Sequence, residues 1–296
     1  MTTWRGVRIG FVGSLLLLAT ACAQSGGESG EGPGGPAGVG GPDQPGVALR
    51  VDQIGGFLDP ADRLGRLPII AVYASGEVIT QGPQVAIYPG PALPNLQLHR
   101  IAPEDVDRLI ARARDAGVRA GADLGRPSVA DAPSTRFTLS SASGTEVLEV
   151  YALGDTDGST DGLTEAQRTA REKLRNLLTE LTEPGGLVEA DRAGAAEPYR
   201  PEGVAAVATP WRADRNAGPA GQQPEVAWPG PALPGASLPG LDVHCVEAHG
   251  ADADAVLAAA EKANANTPWT AGGKRWQLRL RPLLPDEAGC ADLPVE

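Results

Sequence analysis

Tyr88-Pro89-Gly90-Pro91-Ala92-Leu93-Pro94 recurs further along the chain as Trp228-Pro229-Gly230-Pro231-Ala232-Leu233-Pro234. Six consecutive residues match, and an aromatic ring heads each copy. Each copy is followed by a helical and then a strand-like pattern. Internal repetition of this kind marks repeated structural units, so the chain is expected to hold two related α+β modules. Each would be a small antiparallel sheet with a packed helix. The modules are placed at residues 47–185 and 203–296, with a linker over 186–202. Convergence on a Pro-rich linker is the competing explanation of the match.

Working outward from the first copy, Pro68–Ala74 is rich in β-formers, Ser75-Gly76 is a turn signal, and Glu77–Thr80 resumes a strand, which reads as a hairpin. Pro103 opens a helix where its missing N–H does no harm. Val106, Leu109, Ile110 and Ala113 form its apolar stripe, and Gly117 closes it. A second hairpin turns at Ser143-Gly144. Thr164 and Gln167 stand at capping-box spacing ahead of a helix carrying Leu174, Leu177, Leu178 and Leu181. Outward from the second copy, strands are expected over Gly203–Ala208 and Leu241–Val246. A helix with Ala253, Val256, Leu257 and Ala260 follows. Trp276, Leu278 and Leu280 then alternate with Arg275, Gln277, Arg279 and Arg281, which predicts a strand with apolar residues inward and charges outward.

Residues 1–21 read as a cleaved leader. Arg5 and Arg8 form a short positive head, Ile9–Ala19 is mainly apolar and too short to span a bilayer, and Ala19-Thr20-Ala21 offers small residues to a peptidase. Leu15-Leu16-Leu17-Leu18-Ala19-Thr20-Ala21-Cys22 resembles the lipobox of bacterial lipoproteins, with Ala19 where Leu is commonest. That resemblance implies acylation (palmitate among the chains) on Cys22 and an anchor on the extracytoplasmic face of the cell membrane. An ordinary secretory signal is the simpler alternative. Residues 22–46 are dominated by Gly, Pro, Ser and Glu, a tether too poor in apolar surface to fold and with a coil reach of about 25–30 Å.

The balance of charge is acidic, 37 Asp plus Glu against 25 Lys plus Arg, for a net −12. A chain this negative repels nucleic acid phosphate, so nucleic acid is an unsuitable partner. Cys245 and Cys290 form an even pair in a chain read as exported, which points to a structural disulfide; without C-x-x-C spacing, a metal or redox pair is the weaker alternative. Asp155, Asp157 and Asp161 alternate with glycines as in calcium loops. The twelfth place, where an EF-hand needs a bidentate Glu, is Ala166, and the bland alternative is a solvated connector. His244 and Cys245 face opposite sides of a strand, which spoils a shared metal site with Glu247 and His249. Glu104-Asp105 and Asp252-Asp254 sit at helix starts, where the dipole accounts for them. No G-x-S-x-G or phosphate-cradling glycine loop occurs, so neither catalytic residues nor cofactors are assigned.

The composition, together with G-E-V-I-T-Q-G-P-Q-V-A-I-Y-P-G-P-A-L-P (76–94) and R-P-L-L-P-D-E-A-G-C (281–290), resembles an uncharacterised lipoprotein family of high-GC Gram-positive bacteria. The resemblance implies no activity. The expectation is therefore a non-catalytic envelope lipoprotein that binds an envelope protein or a small ligand. An extracytoplasmic hydrolase or envelope-processing enzyme is the rival. The aromatic-headed Pro-Gly-Pro segments would either cover a sheet edge or display a stiff surface to a partner.

Overall fold

The computed structural model describes residues 46–141, 144–154, 161–183, 186, 195–212 and 223–294. The leader, Cys22, the tether up to residue 45, Asp155 and Asp157 lie outside the described residues.

The fold is α+β, built on two sheets. The first sheet carries strands β1 (Val47–Ile54), β2 (Ile70–Tyr73), β3 (Glu77–Gln81), β4 (Leu96–Arg100), β5 (Ser134–Ser141), β6 (Gly144–Tyr151) and β7 (Glu197–Pro198). Their order is β6-β5-β1-β2-β3-β4-β7, with every neighbouring pair antiparallel. β7 adds an edge strand from within the stretch read as a linker. Helix α1 (Pro60–Leu64) follows β1, α2 (Pro103–Asp115) follows β4 and α3 (Glu165–Thr182) follows β6.

Alternation along β1 sends Leu49 and Val51 to the face that α2 and α3 cover, where they meet Leu109, Leu174, Leu177 and Phe137. Pro103 begins α2, and the α3 capping box is complete: Thr164 Oγ1 accepts from the Gln167 amide at 3.2 Å, and the Thr164 amide donates to Gln167 Oε1 at 2.9 Å. The β2–β3 turn requires glycine. Gly76 has φ +88°, and a Cβ there would stand 2.2 Å from the Ile101 carbonyl oxygen.

The second sheet holds β8 (Gly203–Pro210), β9 (Val226–Ala227), β10 (Ala236–Ser237), β11 (His244–His249), β12 (Trp269–Ala271) and β13 (Lys274–Pro282), in the order β10-β11-β8-β13-β12-β9. Only the β12–β9 pair is parallel among the named pairings. Helix α4 (Gly250–Ala260) packs Ala253, Val256 and Ala260 onto Val204, Ala206 and Ala208. After the first Pro-Gly-Pro copy the chain runs strand, helix, hairpin and after the second two strands, helix, hairpin, and β4 lies three strands from β1 whereas β11 lies beside β8.

The other faces of the two sheets are bridged by α1 and by the segment after β13. Ala61 and Leu64 of α1 pack with Ala205 and Val207 of β8, and Leu284 packs with Ala71, Tyr73 and Ile79 of the first sheet. One expectation is thereby corrected. Arg281, read as outward and solvated, is 0% exposed. At Arg279 and Arg281 the outward face of β13 meets the first module, so strand alternation sets the face correctly but not what lies against it.

Cys245 on β11 is bonded to Cys290 in a short 3-10 turn (Cys290–Asp292), S–S 2.01 Å, which pins the last segment to the second module.

Candidate functional site

The junction between the modules carries two features, a buried ionic cluster and beside it a groove. The cluster begins with a tight turn after β13. Pro282 ends the strand, Leu283 and Leu284 are buried on either side, and Asp286 and Glu287 are carried across to the first sheet. Arg281 forks onto Glu287, Nη1 to Oε2 at 2.5 Å and Nη2 to Oε1 at 2.7 Å. Arg50 of β1, on the face opposite Leu49 and Val51, reaches Asp286 Oδ2 at 3.1 Å, Glu287 Oε1 at 3.3 Å and Asp52 Oδ1 at 3.0 Å. The Tyr73 hydroxyl donates to Asp286 Oδ1 at 2.6 Å, and the Leu284 amide donates to Glu287 Oε2 at 2.9 Å. The Tyr199 hydroxyl closes the margin on the Leu283 carbonyl at 2.8 Å.

Every carboxylate oxygen of Asp286 and Glu287 therefore accepts at least one hydrogen bond. Burial works to raise the Glu287 carboxyl, but the Arg281 hydrogen bonds and charge, with Arg50 behind them, outweigh it and hold the group below its ordinary value. Burial pushes Asp286 up, and Arg50 and the Tyr73 hydroxyl offset only part of that. The Tyr73 phenol is held un-ionised by burial and by the neighbouring Asp286 charge. Displaced groups of this kind often mark catalytic centres. Here every carboxylate oxygen is engaged with protein donors, and the cluster ties the two modules together as an ionic clasp.

The groove lies along β13 where β12 stops. β12 pairs with β13 only from Lys274 to Trp276, and Leu278, Arg279 and Leu280 line a cavity of about 350 Å³ beyond that point. Its opposite wall is the first Pro-Gly-Pro copy, Gly90 to Pro94, with Val85 at the rim. That copy belongs to the first module by sequence yet docks on the second. Pro91 bridges Asn264, the Ala265 amide donates to the Gly90 carbonyl at 2.8 Å, and Ala92 and Leu93 join the α4-side core. Arg279 pairs with Asp62 of α1 and donates to the Ala265 carbonyl at 3.2 Å, so one ion pair marks the groove mouth. The groove walls thus come from both modules. Close by in sequence, Ile87 and Tyr88 stand exposed, Tyr88 at 84%.

The second copy crosses the helix side of the second sheet from edge strand β9 to edge strand β10. Trp228 stacks edge-on against Trp269 at 5.6 Å and donates to the Pro231 carbonyl at 2.6 Å. It covers a face, where sequence reasoning weighed an edge cover against a display surface.

The remaining sequence candidates fall elsewhere. Asp161 is in a turn whose carbonyl accepts from the Ser128 amide at 3.3 Å. His244 lies on the α4 side of β11, and Glu247 shares the Cys245 side, where its carboxylate accepts from the Cys290 amide at 2.8 Å. Glu104 and Asp252 stand in first helical turns, and Asp105 pairs with Arg108. Among the described residues, no group of three or more His, Cys, Asp and Glu side chains is placed to hold a metal ion, and no helix is long and apolar enough to cross a membrane. Sequence reasoning missed Arg50, Tyr73, Asp286 and Glu287. The one available signal was an acidic pair set between Pro285 and Cys290, shortly after a strand bearing arginines ends at Pro282.

Comparisons with protein families, with curated proteins and with solved structures found no match for the chain.

Proposed function

We propose that this chain is a non-catalytic binding lipoprotein of the cell envelope, held by acyl chains on Cys22 at the extracytoplasmic face of the membrane. Its junction groove takes a short extended segment of an envelope protein. The observation that carries the binding reading is the groove along β13. A strand edge uncovered by β12 beyond Trp276, facing a wall stiffened by Pro91 and Pro94, suits β-augmentation, in which main-chain hydrogen bonds supply affinity and flanking pockets supply selectivity. A volume of about 350 Å³ lies at the small end of the range for ligand sites and holds a few residues of extended chain. The anchor reading rests on the lipobox residues and on the physics of acyl chains, two of which hold a protein stably where one does not.

Two measurements test it. A benzophenone side chain at Val85, irradiated in intact envelope, should give a discrete crosslinked product that the groove-filling Ala92→Trp variant lacks; crosslinking that persists through Ala92→Trp removes the groove from the reading. Intact mass of the native protein should show diacylglycerol-sized additions at the mature N-terminus, and Cys22→Ser should release the chain from membranes. An unmodified Cys22 ends the anchor proposal and leaves the groove test standing.

A further inference from the structure

The clasp and the groove share one strand. Leu278, Arg279 and Leu280 form a groove wall, and Arg281, the next residue, holds Glu287. The opposing groove wall and Arg50 both belong to the first module, so the spacing of the groove is set by whatever keeps the modules together at this point. The segment carrying Asp286 and Glu287 is secured immediately afterwards by the Cys245–Cys290 bond. It is also secured by the Cys290 amide on Glu247, and Glu247 sits two residues along β11 from Cys245 on the same side. Gly289 lets this approach happen, since a Cβ there would stand 2.5 Å from the Glu247 carboxylate. Disulfide, turn and acidic pair form one continuous lever of a few residues. Cys290 is the more accessible partner, half-buried where Cys245 is buried.

We propose that the Cys245–Cys290 disulfide is a redox latch: its reduction by an extracytoplasmic dithiol frees the 283–293 segment, withdraws Asp286 and Glu287 from Arg50 and Arg281, and loosens the groove. The chemistry is ordinary thiol–disulfide exchange. A dithiol's thiolate attacks Cys290 Sγ, Cys245 leaves as thiolate and takes up a proton, and the second thiol of the reductant attacks the mixed disulfide. Cys290 leaves as a thiol and the reductant as its own disulfide, so two electrons and two protons pass to the protein. The latch bears on the groove assigned above, and what the groove binds rests on that reading. The latch itself does not need it.

The test is amide hydrogen exchange on the full chain purified in detergent, oxidised and then reduced with dithiothreitol after folding. Exchange should quicken at least tenfold more over residues 279–287 and 62–66 than at the α2 and α3 amides. Glu287→Ala, with the disulfide intact, should reproduce most of that change, and reducing Glu287→Ala should add little to it. Three results would each overturn the proposal: faster exchange confined to 288–292, an equal loss of protection along the whole chain, or reduction and Glu287→Ala acting additively. Because no ligand enters the measurement, a failed latch and a failed binding reading are told apart.

Discussion

At the residue scale the chain concentrates its electrostatics in one place. Removing one partner of a buried pair strands the other without water, which costs about 3–5 kcal/mol, whereas exposed pairs such as Arg100–Glu197 are worth at most about 1 kcal/mol. Glu287→Ala should therefore lower unfolding stability in urea by about 3–5 kcal/mol, far more than Glu197→Ala. The pH dependence follows from the displaced groups. The Glu287 value is lower folded than unfolded, so its contribution is complete above the ordinary glutamate value of about 4.3 and drains away as pH falls through the lowered folded value. Asp286 runs the other way: raised in the folded chain, it costs stability when ionised and returns it as pH falls through its raised value. The stability gap between the native chain and Glu287→Gln should stay level near neutrality and narrow in acid, as urea titrations at several pH values would show. A gap that widened in acid would contradict the clasp. Backbone geometry is equally demanding at Gly235, where φ is +84° and a Cβ would stand 2.2 Å from the Cys245 carbonyl oxygen. Gly235→Ala must move β11 or the second Pro-Gly-Pro copy and should cost more than about 1 kcal/mol in the same assay.

At the scale of elements, local signals were readable and long-range ones were not. The capping box at Thr164 and Gln167 is satisfied atom for atom, because both partners lie within one helical turn. Thr164→Ala should cost about 1 kcal/mol, and Leu174→Ala, buried between α3 and the first sheet, about 2–5 kcal/mol, both measurable by thermal melting. The β2–β3 and β5–β6 hairpins were legible for the same reason of short range. The two- and three-residue strands β7, β9, β10 and β12 were not, since strands this short carry no period to detect. The groove was invisible too. Its walls come from residues 62, 65, 84, 85, 90–94, 265 and 278–280, which nothing in the local pattern links. Arg281 shows the limit most clearly: the 2.0-residue period assigned its face, and only the tertiary arrangement decides whether that face meets water or Glu287.

At the scale of the molecule, the single disulfide closes a span of 45 residues, for which the chain-entropy estimate is about 4 kcal/mol. Reduction should lower the urea midpoint accordingly, and a shift below about 1 kcal/mol would contradict that estimate. Added salt should barely change the clasp's contribution, because its charges are screened by protein rather than solvent. The traffic between the halves has a practical outcome. The first half lends Ala92 and Leu93 to the other's core, and the second returns Leu284 to the face beneath Tyr73. A fragment ending at residue 185 would expose the hollow left by Leu284 and leave Arg50 without its carboxylates; one beginning at 203 would lack a groove wall. Each expressed alone should aggregate, while the two produced together should recover a soluble heterodimer, as split reporters do when their strands are exchanged. That result would make the protein two handclasped partners that fold only in company.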